Sequence, residues 1–300
     1  MQARWEPDRA LTIRQACRAI GSQFPEIEVG RLEFLGSGWE HDAFISSDGW
    51  VFRFPRRAEY ANSFQWERGL HELVAGRLSP VVVPRIELWG APGPDFPYRF
   101  AGHRHVPGLR ADHPDVSLHP MFTRQLGVAL SQIHSVAEDE ARQKGVQHDA
   151  DGAKEWFVEV RELAPSLRGL DPRVDSAVDW LSSGPELPAD YSGPPRFVHN
   201  DLCPDHILVS PDSGRLSGII DWTDAALGDP VFDFAVLVAW QGWGFYESVR
   251  GAYAGALDRQ FDTRLAFLAR VLSLDWLWEC QQQAADTEKH VRWITNAFGR

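Results

Sequence analysis

Phe197-Val-His-Asn-Asp-Leu-Cys-Pro-Asp-His-Ile-Leu-Val209 is followed closely in the chain by Gly218-Ile-Ile-Asp-Trp222. The first stretch places Asp201 in a loop after an apolar strand, with His206 five residues later. The second places Asp221 at the end of another short apolar strand. Phosphoryl transfer needs a carboxylate that orients the acceptor hydroxyl and further ligands that hold Mg²⁺ at nucleotide phosphates. The spacing therefore predicts Asp201 as the catalytic residue and His206 and Asp221 as metal ligands.

This part of the chain is also strongly acidic. Residues 199–233 contain seven aspartates and one cation, Arg215. So many acids at strand ends and turns would repel one another unless a metal or a cationic ligand lay among them. The preference of aspartate for turns explains Asp212 and Asp229. It does not explain the ordered spacing of the three predicted site residues.

Three motifs resemble those of the aminoglycoside and macrolide phosphotransferases, antibiotic-modifying relatives of the protein kinases. Their pattern is His-x-Asp-x-x-x-x-Asn, then Ile-Asp-Trp/Phe-x-x-Ala, then Gly-Asp-Pro-x-x-Asp. Here it reads His199-Asn-Asp201 with His206, then Ile220-Asp-Trp-Thr-Asp-Ala225, then Gly228-Asp-Pro-Val-Phe-Asp233. The departure is His206, which stands where the family has asparagine. The resemblance covers residues 30–300.

The resemblance implies a bilobal, protein-kinase-like α+β fold. A small antiparallel-sheet lobe with one main helix, residues 1–102, would bind the nucleotide. A hinge at 103–108 would lead to a larger, mostly helical lobe, residues 109–300, for catalysis and substrate binding. The reaction implied is phosphorylation of a small-molecule hydroxyl with Mg²⁺ and with ATP or GTP as donor.

Local patterns are consistent with this organisation. Helical spacing predicts helices at 11–20, 58–78, 122–136, 156–163 and 174–181. Apolar runs bounded by turn residues predict strands at 32–35, 43–46, 50–54 and 84–89.

The nucleotide-binding residues are expected in the amino-terminal lobe. Gly36, Ser37 and Gly38 form a glycine loop between two strands, where backbone amides could approach phosphates. The alternation in Val51-Phe-Arg-Phe-Pro55 places Arg53 on the face opposite the phenylalanines, as a phosphate-binding cation. Glu67 on the following helix is its expected partner.

In the resembled fold, the backbone of the hinge pairs with the purine edge. Alignment to the motif assigns this role to Arg104 and Val106, with Phe100 near the back of the pocket. The carboxy-terminal region, which is rich in tryptophan, would form the wall of the acceptor pocket. Its aromatic and acidic side chains would suit a cationic sugar or a macrolide. The candidate acceptor-binding residues are Asp224, Asp229, Trp240, Asp275, Trp276 and Glu279.

The amino-acid composition narrows the classes of partner and the cellular compartment expected for this chain. The chain has 300 residues, 44% hydrophobic and 24% charged, and a net charge of −12. That charge argues against nucleic-acid or anionic-membrane partners. There is no apolar run of the roughly 18 residues that span a membrane and no signal-peptide core. Three widely spaced cysteines form neither a disulfide framework nor a zinc-binding pattern. A monomeric cytoplasmic protein is expected.

The sequence is compatible with more than one acceptor and with more than one class of function. Among kinases, an aminoglycoside is the expected acceptor, ahead of a macrolide (as in a macrolide 2'-phosphotransferase) and of a small metabolite. A metal-dependent hydrolase using His199, Asp201 and His206 would leave the glycine loop and Arg53 unexplained. A nucleotide-binding module without turnover is suggested by Arg53 and His206, since lysine and asparagine usually stand there.

Overall fold

The computed structural model describes residues 7–149, 152–283 and 287–300. The described chain divides into two compact units, one ending at Pro107 and the other beginning at Gly108. The first unit is built on an antiparallel sheet, and the second consists mainly of helices. The predicted α+β class is confirmed.

The first unit begins with helix α1 (Ile13–Gly21), whose first turn is closed by a reciprocal capping box between Thr12 and Gln15. Five strands follow: β1 (Glu33–Ser37), β2 (His41–Ile45), β3 (Trp50–Pro55), β4 (Ile86–Gly90) and β5 (Phe100–Arg104). They lie in the order β1-β2-β3-β5-β4, with each neighbouring pair antiparallel. The predicted strands are confirmed, with shifted ends.

Strand β3 shows why this sheet folds as the sequence predicts. Phe52 and Phe54 point into an aromatic core and are fully buried, and Phe54 stacks on Phe100 with ring centroids 4.5 Å apart. Burying one phenylalanine contributes roughly 1.5–3 kcal/mol. Arg53 lies on the other face, where it pairs with a glutamate of the next helix. The predicted alternation is confirmed.

The main helix of this unit is shorter than predicted. Residues 58–62 form a 3₁₀ helix, and the α-helix, α2, extends over Ser63–Ala75. Its buried face carries Phe64, Leu70 and Val74. Gly76 caps its carboxyl end, with helical dihedral angles and its amide donating to the Val74 carbonyl.

The second unit has two small antiparallel sheets. Strands β6 (Leu109–Arg110), β8 (Ile207–Val209) and β9 (Leu216–Ile219) form one of them, and β7 (Arg196–Val198) pairs with β10 (Ala226–Gly228) in the other. The β7–β8 loop therefore carries residues 199–206, and the β9–β10 loop carries 220–225. These loops contain the sequence motifs.

Eight α-helices surround the strands in the described part of this unit. They are α3 (Phe122–Ile133), α4 (Glu138–Gln143), α5 (Ala153–Leu163), α6 (Pro172–Ser182), α7 (Val231–Gln241), α8 (Trp243–Arg250), α9 (Phe261–Gln282) and α10 (Glu288–Ala297). Helix α7 contains the longest apolar run and is buried at nearly every position, packed on α9 and α10. In the described ranges, no helix has both the length and the apolar character needed to cross a membrane.

Helix α4 was not predicted. Its only buried residue is Ala141, so it has no apolar periodicity for a sequence pattern to detect. Three acids in its first turn favour it through the helix dipole.

Candidate active site

The β7–β8 loop is held in place through its backbone. The amide of His199 donates to Oδ2 of Asp233 at 2.9 Å, and the amide of Asn200 donates to Oδ1 at 2.8 Å. Asn200 has φ of 67°, a conformation that non-glycine residues keep only when surrounding contacts require it. One carboxylate thus fixes two consecutive amides immediately before Asp201.

Asp233 lies in the first turn of α7 and is fully buried. Nε2 of His134 lies 3.0 Å from its Oδ2, and Nδ1 of His134 lies 2.8 Å from the Tyr253 hydroxyl. Burial raises the pKa of Asp233, but the hydrogen bond to His134 and the backbone bond from His199 outweigh it and leave the pKa below its usual value. The loop is therefore anchored to an ionised carboxylate.

The imidazole of His206 lies between two carboxylates. Its Nδ1 is 3.3 Å from Oδ2 of Asp201 and 2.8 Å from the Asp201 carbonyl, and its Nε2 is 3.5 Å from Oδ2 of Asp221. Asp221 has φ of 58° and accepts from the Thr223 hydroxyl at 2.7 Å. The Asp201 side chain keeps 38% of its surface exposed, so a ligand can reach it. The structure brings the three predicted residues together.

The β7–β8 and β9–β10 loops carry more negative than positive charge. Although part of the Asp201 side chain reaches solvent, desolvation by the surrounding loops, followed by the charges of Asp224 and Asp221, raises the pKa of Asp201 to about 7 against the opposing charge of His206. Burial works against protonation of His206, but the neighbouring acids outweigh it and raise its pKa well above the usual value. Burial also raises the pKa of the Cys203 thiol, so we attribute the His206 shift to the carboxylates rather than to a thiolate. Such an excess of acid favours a bound cation.

His199 does not qualify as a metal ligand. It is fully buried, and Nε2 donates to the Ile220 carbonyl at 3.0 Å while the Asp201 amide lies 3.4 Å from Nδ1. Both ring nitrogens are therefore occupied. Burial lowers the pKa of His199 to about 4, which keeps the ring neutral. The hydrolase alternative loses one of its three proposed ligands.

Sequence reasoning missed Asp149. Its Oδ2 accepts from Nδ2 of Asn200 at 3.0 Å, and its amide donates to the Leu227 carbonyl, which ties the segment before α5 to strand β10. The side chain of Asp224 reaches solvent, but partial desolvation by the surrounding loops, then the charges of Asp221 and Asp149, raises its pKa against an opposing effect of His206. Asp149 lies in an irregular segment far upstream, so no motif signals its role.

Asp229 requires a correction, because the protein neutralises it internally. Nε of Arg264 lies 2.6 Å from its Oδ2, and Nη2 of Arg264 lies 2.5 Å from a carboxylate oxygen of Asp258. Oδ1 of Asp229 also accepts from the Val231 amide at 3.1 Å, at the start of α7. We therefore assign Asp229 to the fold instead of the acceptor pocket.

Helix α9 carries Asp275, another acidic residue whose charge is not neutralised by a cation in the described ranges. Asp275 is 7% exposed, and no side chain in the described ranges donates a hydrogen bond to it. Burial, followed by the charges of Glu279 and Glu159, raises its pKa to about 7. Glu279 lies one helical turn further along, partly exposed. A cation would relieve this burial penalty.

The two predicted acceptor-binding tryptophans differ. Trp276 is partly exposed on α9, with its ring edge-to-face against Trp293 at 5.4 Å. Trp240 is only 8% exposed and packs on Phe245. Trp240 is thus a core residue, and the expectation that it contacts substrate is corrected.

In the first unit, the glycine loop forms the turn between β1 and β2. The Gly38 amide donates to the His41 carbonyl at 2.9 Å, and the Ser37 hydroxyl donates to Oδ1 of Asp42 at 2.5 Å. No atom lies within 4 Å of the position that a Cβ at Gly36 would occupy. The backbone there is open to a ligand.

Arg53 is held by two partners. Its Nη1 pairs with Oε1 of the fully buried Glu67, as predicted, and its Nη2 lies 3.1 Å from Nδ1 of His41. A guanidinium has only hydrogen-bond donors, so Nδ1 of His41 must accept the hydrogen bond from Arg53. This requires a neutral imidazole ring at His41. His41 also stacks on Phe64 at 4.7 Å. Sequence analysis missed His41, which reaches Arg53 across the β2–β3 register.

The predicted hinge residues have other side-chain roles. Phe100 is fully buried in the aromatic core, and its place near the back of the nucleotide pocket stays a prediction. The Arg104 guanidinium lies 3.9 Å from the ring centroid of Trp50 and donates to the Asp48 carbonyl. Val106 is buried. Purine recognition by the backbone of Arg104 and Val106 stays a prediction.

Residues 31–284 match the model of the phosphotransferase enzyme family APH. The GDP and kanamycin complex of APH(2")-IIia aligns with a TM-score of 0.72 at 25% identity, over 95% of this chain and 96% of that one. The macrolide 2'-phosphotransferase MphH from Brachybacterium faecium aligns with a TM-score of 0.63 at 18% identity, over 96% and 98%. The homoserine kinase of Rhodospirillum rubrum is 33% identical over 118 residues, 39% of this chain and 35% of that protein.

The chain belongs to this phosphotransferase family, whose kinase-like fold it shares. The predicted family resemblance is confirmed. The chain spans little more than a third of the length of the curated relatives it matches.

Proposed function

We propose that the protein transfers the terminal phosphoryl group of ATP or GTP to a hydroxyl of a small, amino-bearing molecule, with an aminoglycoside as the first candidate. The observation that carries the proposal is the position of His206 between Asp201 and Asp221, within 3.3 Å and 3.5 Å of their carboxylates. Family membership supports the reaction class.

In this proposal Asp201 is the catalytic residue. Its carboxylate orients the acceptor hydroxyl and accepts the hydroxyl proton as the new phosphorus–oxygen bond forms. The transition state of phosphoryl transfer is loose, so positioning matters more than basicity. The anchor formed by Asp233 and the two loop amides supports that positioning, because it holds the backbone next to Asp201.

Asp221 and His206 suit a divalent cation. Oδ2 of Asp221 and Nε2 of His206 are 3.5 Å apart, close enough to bind one ion, in loops with an excess of acid. Asp221 is the stronger Mg²⁺ ligand, because it supplies charge and a hard oxygen. Bound Mg²⁺ would neutralise charge on the nucleotide phosphates.

The first unit supplies the nucleotide-binding residues of the proposal. The turn formed by Gly36, Ser37 and Gly38, whose backbone is open at Gly36, would approach the phosphate oxygens. Arg53, positioned by Glu67 and His41, would pair with phosphates bidentately. Solved relatives have been captured with GDP and with ATP, so either donor is compatible with the family.

The acceptor class rests on charge. Desolvation and the charges of neighbouring acids raise the pKa of both the buried Asp275 and the exposed Asp224, and the partly exposed Trp276 adds a stacking surface. Ammonium groups on a sugar would relieve that repulsion and be attracted to these acids. The similar structures with kanamycin and gentamicin are consistent with this choice.

Nucleotide consumption by the purified protein, measured against a panel of aminoglycosides, macrolides and metabolite alcohols, tests the proposal. An aminoglycoside should stimulate consumption and appear as a phosphorylated product by mass spectrometry. Asp201→Asn should lower that turnover by at least the roughly 10²-fold expected for a lost acid–base group. Stimulation only by a metabolite alcohol would keep the chemistry and replace the acceptor. The match to homoserine kinase favours that second candidate.

Calorimetry at low and high salt separates the two antibiotic classes. Aminoglycoside binding should weaken as salt rises, because partly exposed charge pairs are screened over about 8 Å at physiological ionic strength. A macrolide carries about one amine and buries mainly apolar surface, so its binding should hardly change. A salt-insensitive macrolide complex without any aminoglycoside signal would contradict the choice of acceptor.

A further inference from the structure

His206 presents different partners to its two ring nitrogens. Nε2 faces Asp221, as described above, whereas Nδ1 faces a second group of donors. Sγ of Cys203 lies 3.4 Å from Nδ1, and Oδ2 of Asp201 lies 3.3 Å from it. Among the residues the structure describes, Asp201, Cys203 and His206 have donor atoms that all lie within 4.8 Å of one another.

The two separations from Nδ1 match those of a tetrahedral metal site. A Zn²⁺ ion bound at about 2.0–2.3 Å by nitrogen, oxygen and sulfur separates its ligand atoms by about 3.3–3.5 Å. To bind one ion, Nδ1 would exchange its 2.8 Å contact with the Asp201 carbonyl for the metal, and water would complete the coordination. We propose that Asp201, Cys203 and His206 form a site for Zn²⁺ or a similar thiophilic divalent cation, whose binding switches the protein off.

The donor set distinguishes this site from the proposed Mg²⁺ site. Thiolate and imidazole ligands select Zn²⁺, whereas Mg²⁺ prefers oxygen donors. In the zinc-bound form Nδ1 of His206 binds the ion, so the imidazolium releases its Nδ1 proton to solvent and keeps the proton on Nε2, 3.5 Å from Oδ2 of Asp221. A carboxylate in that position orients a zinc-bound histidine. The Cys203 thiol loses its proton to solvent as the sulfur–metal bond forms.

The inhibitory effect rests on the proposed function. Zinc would occupy both the carboxylate that orients the acceptor and the nitrogen that faces the Mg²⁺ site. The two metals use opposite nitrogens of one ring, so Mg²⁺ cannot use His206 while zinc is bound. Inhibition should therefore be reversed by a chelator selective for zinc.

Metal binding is measured first, without nucleotide or acceptor, so the result does not depend on the proposed reaction. Co²⁺ serves as the spectroscopic probe, and Zn²⁺ affinity is measured by competition with a chromophoric chelator. The full chain should give a thiolate-to-cobalt charge-transfer band that Zn²⁺ abolishes. Cys203→Ser should remove the band and lower Zn²⁺ affinity by more than the roughly 10–100-fold lost with an outer-shell partner.

Cys17→Ser is the matched control. Cys17 is partly buried like Cys203, but it lies in the first unit, where its thiol donates to the Val29 carbonyl. This variant should keep the band and the zinc affinity. Absence of the band in the wild type, or its persistence in Cys203→Ser, would overturn the metal site.

The second part of the experiment measures turnover in the presence of Zn²⁺. Zn²⁺ at a concentration that saturates the band should inhibit the wild type and spare Cys203→Ser, whose activity without zinc should stay near normal. Equal inhibition of both proteins, or zinc binding with full activity, would overturn the switch and leave the binding site standing. If no acceptor supports turnover in any condition, the proposed function fails, while the cobalt band still decides the metal site.

Discussion

The two charged clusters of this protein differ in how their charge is balanced. In the first unit, Arg53 is enclosed by Glu67 and a neutral His41, so the cation already has its counterion. In the second unit, His206 is surrounded by more acid than it can neutralise, and Asp275 on α9 has no cationic partner in the described ranges. A balanced buried cluster holds its own geometry. An unbalanced one is costly until a ligand supplies the missing charge.

Asp221→Ala should give the largest effect, because it removes the hard oxygen ligand from the unbalanced cluster. We expect turnover below detection with the fold intact by circular dichroism. His206→Asn is the matched comparison and should be tolerated, even improved at low Mg²⁺, because it restores the amide oxygen usual in the family. An inactive histidine variant beside an active Asp221 variant would show that the metal roles are misassigned.

Asp275→Asn should relieve the acid excess on α9 and stabilise the protein in a pH-dependent way. The folded-state pKa is raised to about 7 from 3.8, so the wild type holds this acid neutral at low pH and loses stability as pH rises between these values. The variant should be more stable above pH 7 by up to about 4 kcal/mol, and near-equal at pH 4. Urea unfolding at several pH values measures the difference.

Asp179→Asn serves as the control for that series, because Asp179 is exposed on α6 and pairs with Arg168 at the surface. It should change the free energy of unfolding by less than about 0.5 kcal/mol at every pH. A pH-independent gain in Asp275→Asn would mean that burial of the charge is not what destabilises α9.

Glu67→Gln tests the balanced cluster. Removing one charge of a buried pair costs about 3 kcal/mol or more, because the other charge loses its compensation. We expect that loss in unfolding experiments, together with weaker nucleotide binding by calorimetry. Glu72→Gln is the control on the same helix, since Glu72 forms an exposed pair with Arg68 and should contribute within about 1 kcal/mol. Equal losses in both variants would contradict the proposed difference between the buried Arg53–Glu67 pair and the exposed Arg68–Glu72 pair.

Sequence patterns predicted the parts of this molecule that depend on spacing along the chain. Asp201, His206 and Asp221 could be found because the motif loops begin directly after short strands. The face of β3 that carries Arg53 could be found because side chains alternate along a strand. The helix and strand order of the first unit followed from apolar periodicity and from glycine and proline.

Contacts between residues that are distant in sequence could not be predicted from local sequence patterns. His41 meets Arg53 through the register of β2 and β3, and Asp149 meets Asn200 through an irregular segment. Neither contact has a short-range signal. Trp240 was misplaced because an aromatic residue suits a core and a ligand pocket equally well, and only packing separates them. Asp229 was misplaced because its partner, Arg264, is distant in sequence.

The central claim is that the loop anchored by Asp233 carries out phosphoryl transfer through Asp201. Its most direct test measures two quantities on Asp201→Asn: acceptor-dependent turnover with the acceptor identified in the panel, and nucleotide affinity by calorimetry. We expect a loss of turnover of at least roughly 10²-fold with nucleotide affinity barely changed. Near-normal turnover in Asp201→Asn would contradict it.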